Sequence, residues 1–383
     1  MLKFLNYRWL CYYSRQLYNI MPGTERERLF DRVALENEAR VPNRPLGGIS
    51  DFVVGDFPAL LRDVSSGEKH IATVSRVVGE RLLAGKDYLQ PMVEGKIDTP
   101  SLKLARLDLL ILESGIFQLG GEPPASLSTL VELVSQDLGM PPSPTYEDMV
   151  LTNPRGDIRT FTKGYAGRSE ADFWIGHARI EDILEKNSQD ITALLENDQN
   201  QVVGGAIEII TQVRERFHLA KKITAQIGFL MPKEHFTGEG FRRFVMPHPV
   251  RGLEGPSGAH SAQVPINEAL IAGEKVPQHA RQRVHNKLVY FPQKSQSTLL
   301  TMYDRADQGV SLRQLVMANH NFPEVVTAFN SMVDGLVNFR KMHLMVVAHQ
   351  LPDVFSGKGP GTSGEGNVQE FLQRFINNDM KIY

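Results

Sequence analysis

The sequence predicts a mainly α-helical fold, and two observations support this prediction. Apolar residues recur at helical spacing along most of the chain, separated by residues that commonly start and stop helices. Alternating strand patterns are scarce, and the two best, at 51–54 and 289–291, are both short. The chain also shows no internal repeat.

The clearest helix is predicted over residues 99–120, where leucines at helical spacing follow a Thr-Pro-Ser start signal and precede two glycines. A second helix is predicted to begin at Ser126 and to end at Gly139. Further helices are predicted over 169–186, 189–197, 199–222, 296–308, 311–319, 323–351 and 367–377.

Three segments lack a regular pattern. Residues 22–60 and 232–260 are interrupted throughout by proline and glycine, and segments this long are either disordered or functional. The second also contains Arg242 and Arg243, which suits the wall of a binding site. A glycine-rich stretch at 356–367 follows the last long predicted helix.

Composition excludes several classes of protein. The 383 residues carry 42 Lys and Arg against 44 Asp and Glu, so charge gives no reason to expect a nucleic-acid partner or an anionic membrane. Cys11 is the single cysteine, which excludes a disulfide scaffold, a four-cysteine zinc site and an iron–sulfur cluster. We therefore expect a cytoplasmic protein of a reducing compartment.

The apolar runs in the chain are too short for a membrane span, so we expect no membrane partner. The aromatic first 20 residues lack the continuous apolar core of a signal peptide. Two interpretations of that segment stay open. It is either a short helix that docks on the body or an upstream extension ahead of an initiator at Met21.

The most informative predicted helix is the one over residues 323–351. One face of it carries Met332, Leu336, Phe339, His343 and either Val346 or Val347. Asp334, Arg340 and Lys341 are expected on other sides of this helix. A histidine on an apolar stripe is most often a core residue bonded to a carbonyl. The alternative is an axial haem ligand, because an apolar face keeps the imidazole neutral and excludes water.

A second predicted helix contains the sequence DFWIGHARIEDIL. One side of it carries Phe173, Trp174, His177, Ile180 and Leu184. Gly176 costs roughly 1 kcal/mol in a helix interior, and that cost indicates close approach by a bulky neighbour. A buried histidine bonded within the core is again the alternative to a functional one.

Residues 339–372, FRKMHLMVVAHQLPDVFSGKGPGTSGEGNVQEFL, resemble the closing motif of the haem-dependent tryptophan and indoleamine 2,3-dioxygenases. In that family a helix with an Arg-x-x-His-like motif supplies the proximal haem ligand, and a GTGG loop follows. The resemblance makes His343 the iron ligand and assigns Gly361 and Thr362 to the loop over the substrate and haem. Ser363 replaces a loop glycine, which leaves open how the loop closes.

Earlier segments are similar to the same family more loosely. DFWIGHARIEDIL resembles the distal helix of the tryptophan dioxygenases, which makes His177 the distal residue beside the indole nitrogen, with Phe173 and Trp174 as apolar walls. MPKEHFTGEGFRRF (231–244) resembles the segment that binds the substrate carboxylate. Arg242 fits that role best, with Arg243 one position away.

Two further segments carry the resemblance. LEGPSGAHSAQVPINEAL (253–270) resembles a Gly/Ser-rich segment of the indoleamine dioxygenases. LTNPRGDIRTFT (151–162) is similar to a segment of the monodechloroaminopyrrolnitrin synthase-like branch, which we take as the closest branch. The resemblance covers roughly residues 145–380, and the N-terminal part rests on helical pattern alone.

The resemblance implies a large helical bundle enclosing haem b over residues 146–383, with a smaller N-terminal helical region or cap over 1–145. It implies a dioxygenase-like oxidoreductase that inserts O₂ into an indole-type substrate, tryptophan or a derivative. Arg242 would bind the substrate carboxylate, and Thr362 its ammonium or a haem propionate. Relatives are tetramers or monomers, so a homo-oligomer is one of two expectations.

Other functions stay open at this point. One is a secondary-metabolism haem enzyme that rearranges or mono-oxygenates an indole or another aromatic. Another is a non-catalytic haem-binding sensor or carrier, and a third is a metal-free helical interaction protein. The sequence contains no Gly-x-Gly-x-x-Gly after a strand, no Walker loop and no His-Glu-x-x-His helix. Cys11 lies in an aromatic segment unsuited to a thiolate haem ligand.

Overall fold

The computed structural model describes residues 44–155, 157–196, 202–237, 240–291, 293–358 and 380–382. Within these ranges the chain is mainly helical and contains no strand, which confirms the predicted fold class. The α-helices are α1 Gly48–Gly55, α2 Phe57–Ser65, α3 Ile71–Ala84, α4 Lys86–Val93, α5 Thr99–Gln118, α6 Ala125–Asp137, α7 Gly164–Glu196, α8 Val202–Leu230, α9 Lys233–Phe236, α10 Gln263–Ala272, α11 Gln278–Lys287, α12 Gln293–Asp307, α13 Leu312–Ala318, α14 Pro323–Gln350 and α15 Pro352–Phe355.

Shorter helical segments connect several of these helices. A π-helix spans Glu147–Thr152, and 3₁₀ turns span Asn153–Arg155, Phe241–Val245, Gly258–His260, Gly273–Lys275 and Leu288–Tyr290. None of the helices described is long and apolar enough to cross a membrane.

The two best strand candidates are wrong. Residues 51–54 lie inside α1, and 289–291 overlap a 3₁₀ turn. A short apolar run is compatible with either a strand or a helix. Here it belongs to the helix α1, which buries Ile49, Phe52 and Val53. Because α1 and the start of α2 fall within residues 22–60, the expectation of an irregular segment there is also wrong for this part.

The predicted start of α5 at Thr99 and its stop at Gly120 are confirmed, and the structure adds the capping residue, Asp98. Asp98 caps α5 by accepting the Ser101 N–H at 2.8 Å, and Gly120 ends this helix with a φ of 77°. The predicted break near residue 188 is absent, and α7 is continuous. Ser188 donates its hydroxyl to the Glu185 carbonyl at 2.8 Å, a bond that is compatible with the helix. The helix predicted over 367–377 lies outside the described residues.

Helices α7, α8 and α14 pack closely because glycines remove side chains at the contacts. Gly176 of α7 faces Ile227 of α8, and Gly228 of α8 faces Val346 of α14. A Cβ atom at either glycine would collide with the side chain opposite. The bulky neighbour that the sequence indicated for Gly176 is therefore Ile227.

Two apolar clusters form the core. One is built mainly from α1–α6 together with Phe241 and Phe244, and the other from α7, α8 and the helices that follow. Phe173 packs against both clusters, so the N-terminal half of α7 lies at their border. The division of the chain at residues 145 and 146 stays a prediction.

Candidate functional site

A cavity of about 300 Å³ lies at this border, enclosed by α7, α8, α14 and residues of the segment 241–265. Its volume is within the range of roughly 300–1,000 Å³ that is typical of small-molecule sites, and its walls are largely apolar. The cavity brings together five of the predicted site residues: Phe173, Trp174, His177, Arg242 and His343.

His343 reaches the cavity from α14. Burial and the neighbouring His177 lower the pKa of its imidazole to about 4, so the ring is neutral at neutral pH. Within the described part of the chain, no hydrogen bond to this ring is present. A neutral imidazole with an available lone pair is the state that a metal ligand requires.

His177 faces the same cavity from α7. Its Nδ1 lies 2.8 Å from the Phe173 carbonyl oxygen, and because a carbonyl only accepts, Nδ1 is the protonated nitrogen. Burial lowers the pKa of His177, which favours this neutral form. The remaining nitrogen, Nε2, therefore carries a lone pair and acts as an acceptor.

The two neighbouring arginines occupy different places. Arg242 lines the cavity from the 3₁₀ turn Phe241–Val245, and burial lowers the pKa of its guanidinium. Arg243 instead donates to the Ser65 hydroxyl and lies over the Phe244 ring, 4.6 Å from its centroid. Of the two, the structure places Arg242 at the cavity wall.

Aromatic rings cover the end of the cavity beside Phe173. The Phe173 ring centroid lies 4.2 Å from that of His177, 5.4 Å from that of Phe236 and 5.1 Å from that of Phe241. Trp174 lines the cavity but is 3% exposed, so it also belongs to the apolar core. This end of the cavity therefore offers flat apolar walls suited to an aromatic ligand.

Sequence reasoning missed Glu181, which lines the cavity one helical turn after His177. The Tyr146 hydroxyl donates to its Oε1 at 3.0 Å, and Ser261 supplies a second hydrogen bond. Burial raises the pKa of Glu181 to about 7. Its spacing of four residues from His177 was the available signal.

Arg340 corrects an expectation. The helical spacing predicted it away from the face of His343, yet it lines the cavity and is buried at 9% exposure. Its guanidinium pairs with Glu268 of α10, which also lines the cavity. The long arginine side chain reaches a wall that its Cα position alone does not indicate.

Other predicted site residues are not described. Gly361 and Thr362 lie outside the described residues, so their roles stay predictions. No group of three or more His, Cys, Asp or Glu side chains within the described ranges is arranged to hold a metal ion. A haem iron differs from such sites, because one or two protein ligands suffice.

Comparison of the chain with models of known protein families gives no match. Comparison with curated proteins gives none either.

Proposed function

We propose that this protein is a haem b-dependent oxygenase that inserts O₂ into an indole-type substrate, tryptophan or a derivative. One observation carries the proposal. Two helices present imidazoles to a single apolar cavity, with an arginine in its wall. The single cysteine of the chain is consistent with a reducing, cytoplasmic location.

The residues present fit a haem group. His343 is neutral and faces a cavity lined on its own helix by Phe339, Val346 and Val347, which would exclude water from an iron held by this ring. We assign His343 as the proximal ligand. When bound, haem supplies the redox chemistry that activates O₂, and the protein supplies binding and orientation.

His177 is suited to orient the substrate. Its Nε2 lone pair can accept a hydrogen bond from an indole N–H, while the Phe173 carbonyl holds the ring in that tautomer. Fixing the indole in one orientation reduces the entropic part of the barrier, which is worth several kcal/mol in well-oriented reactions. His177 is therefore assigned as a positioning group rather than an iron ligand.

Arg242 is suited to bind the substrate carboxylate. A guanidinium offers two parallel N–H groups that match both oxygens of a carboxylate, which a lysine cannot reproduce. The half-buried position of Arg242 strengthens such a pair, because less water competes for it. Phe173 then forms an apolar wall for the indole ring.

The test compares two matched variants of the protein as purified with haem. His343→Ala should lose the Soret absorption, whereas His177→Ala should keep it and lose the spectral shift caused by tryptophan. Circular dichroism serves as the folding control for both. Normal haem retention in His343→Ala would contradict the assignment of the proximal ligand.

A second measurement tests the reaction. With a reductant and O₂, the wild-type protein should convert tryptophan or a ring-substituted derivative to the corresponding N-formylkynurenine, identified by product mass. A product with one added oxygen, or a rearranged product of unchanged mass, would favour the secondary-metabolism alternative. Binding of CO that no indole affects would favour a sensor or carrier.

A further inference from the structure

The wall of the cavity formed by α7 has two chemically different ends. Phe173, His177 and Glu181 follow one another at four-residue spacing, which places each about 6 Å further along the helix axis. Phe241, the neighbour of Arg242 in the chain, packs on Phe173 at the first end. The second end is acidic and lies about 12 Å away along the helix.

Glu181 at the second end retains unused hydrogen-bonding capacity. It is 5% exposed, and no lysine or arginine pairs with it among the described residues. Hydroxyl groups of Tyr146 and Ser261 supply its bonds, whereas a carboxylate has about four acceptor positions. A buried carboxyl without a cationic partner is costly, and such groups are concentrated at functional sites.

The order of residues along α7 defines the orientation in which the substrate would bind. This step rests on the proposed function. A substrate with its carboxylate at Arg242 and its indole nitrogen at His177 would extend its aromatic ring along α7 towards Glu181. An unsubstituted ring would leave the carboxyl facing apolar carbon, which costs binding free energy.

We infer that the substrate carries a hydrogen-bond donor, a hydroxyl or an amino group, on its aromatic ring, and that Glu181 accepts the bond from this donor. Glu181 is then a specificity-determining residue. A site built to bond a ring donor discriminates strongly against the analogue that lacks it, because its own polar group is otherwise left without a partner.

The first test needs no variant. Isothermal titration calorimetry on the wild-type protein as purified compares tryptophan with the 4-, 5-, 6- and 7-hydroxytryptophans and the matching aminotryptophans. At pH 8, above the pKa of Glu181 of about 7, at least one ring-substituted ligand should bind about tenfold tighter than tryptophan or more, as expected for a hydrogen bond to a charged group. Equal or weaker binding of all of them would overturn the inference.

The second test assigns the preference to Glu181. The ratio of the dissociation constant of tryptophan to that of the tightest-binding ring-substituted ligand should fall in Glu181→Gln. It should fall to about threefold or less in Glu181→Met, which has no acceptor oxygen. Glu208→Gln, at an exposed position of α8, should keep the wild-type ratio. A purely structural role would weaken all ligands alike and leave the ratio unchanged, which would overturn the inference.

These measurements separate the inference from the proposed function. If the preference depends on Glu181 but the protein neither retains haem nor oxidises indoles, the proposed function fails and the role of Glu181 stands. If tryptophan is oxidised at a haem bound by His343 and no ring donor improves binding, the inference fails alone.

Discussion

Buried polar side chains are used differently in the N-terminal region and in the cavity. Arg106 in α5 is fully buried and makes four hydrogen bonds, to Ser135, to Asp148 and to the carbonyls of Pro141 and Ser143. Asp108, two residues later, accepts from Arg159 at 2.7 Å and from Ser50 at 2.6 Å. In this region the protein supplies the partners of its own buried charges.

Two polar groups of the cavity show the opposite arrangement, although Arg340 and Glu268 pair with each other in its wall. His343 has no hydrogen bond within the described chain, and Glu181 is bonded only by two neutral hydroxyl groups. A charge paired within the protein fixes which segments pack together, whereas a polar group that faces a cavity with capacity left indicates a ligand. In this molecule, pairing within the protein therefore marks a structural polar residue, and unused hydrogen-bonding capacity towards the cavity marks a functional one.

The largest expected effect tests the structural side of the comparison. Asp108→Ala leaves Arg159 as a buried charge without its carboxylate, and we expect unfolding free energy to fall by about 3–5 kcal/mol in urea denaturation. Burial raises the pKa of Asp108, and the bonds from Arg159 and Ser50 oppose that rise. Asp51→Ala, which removes an exposed partner of Arg44, should cost less than about 1 kcal/mol. Equal losses of unfolding free energy in the two variants would contradict the structural role assigned to the buried pair.

The second effect concerns the pH dependence of stability at Glu181. Its pKa of about 7 in the folded protein exceeds the ordinary value of 4.5, so its stabilising contribution is complete below pH 4.5 and is lost as pH rises through 7. Such a difference corresponds to about 3 kcal/mol. The unfolding free energy of Glu181→Gln relative to wild type, measured by urea denaturation, should therefore rise by up to that amount as the pH rises from 4.5 to 8.

The matched control for this measurement is Glu208→Gln on α8, because Glu208 is exposed and its substitution removes the same charge, whereas Glu185 itself helps to raise the pKa of Glu181. The stability of Glu208→Gln relative to wild type should stay constant over the same pH range. A constant difference for Glu181→Gln as well would show that the buried carboxyl is already compensated within the protein, as the charges of the N-terminal region are.

The smallest expected effect concerns the packing that forms the cavity. Gly228→Ala places a methyl group against Val346 and should cost about 1–3 kcal/mol of unfolding free energy. Gly204→Ala lies on the same helix with open space around it, so there we expect a gain of about 0.5–1 kcal/mol. The same sign for both variants in urea denaturation would contradict the packing role of Gly228.

Local patterns predicted the helices well where one helix decides its own boundaries. The start of α5 at Thr99 follows from the Asp98 cap, and its end follows from Gly120, which adopts a positive φ. The apolar stripe with His343 was also visible, because periodicity reports the buried side of a helix. The break expected near residue 188 was wrong, since polar residues that suit a turn also fit a helix when their bonds are made locally.

Contacts between distant segments could not be predicted in the same way. Ser261 reaches Glu181 from a loop, and Glu268 reaches Arg340 from another helix. No short window of sequence contains both members of either pair. Because Glu and Arg are usually exposed, their residue types predict that Glu181 and Arg340 lie at the surface. This prediction fails where a partner in the folded protein compensates for burial of the charge.

The sequence by itself determined that the chain is helical, where most of its helices lie and that His177 and His343 each occupy an apolar helix face, because these properties depend on residues within one or two turns. Only the tertiary structure decided that the two imidazoles share one cavity with Arg242 and Glu181. That arrangement depends on close packing at Gly176 and Gly228, and such packing is a property of helix pairs rather than of any single helix.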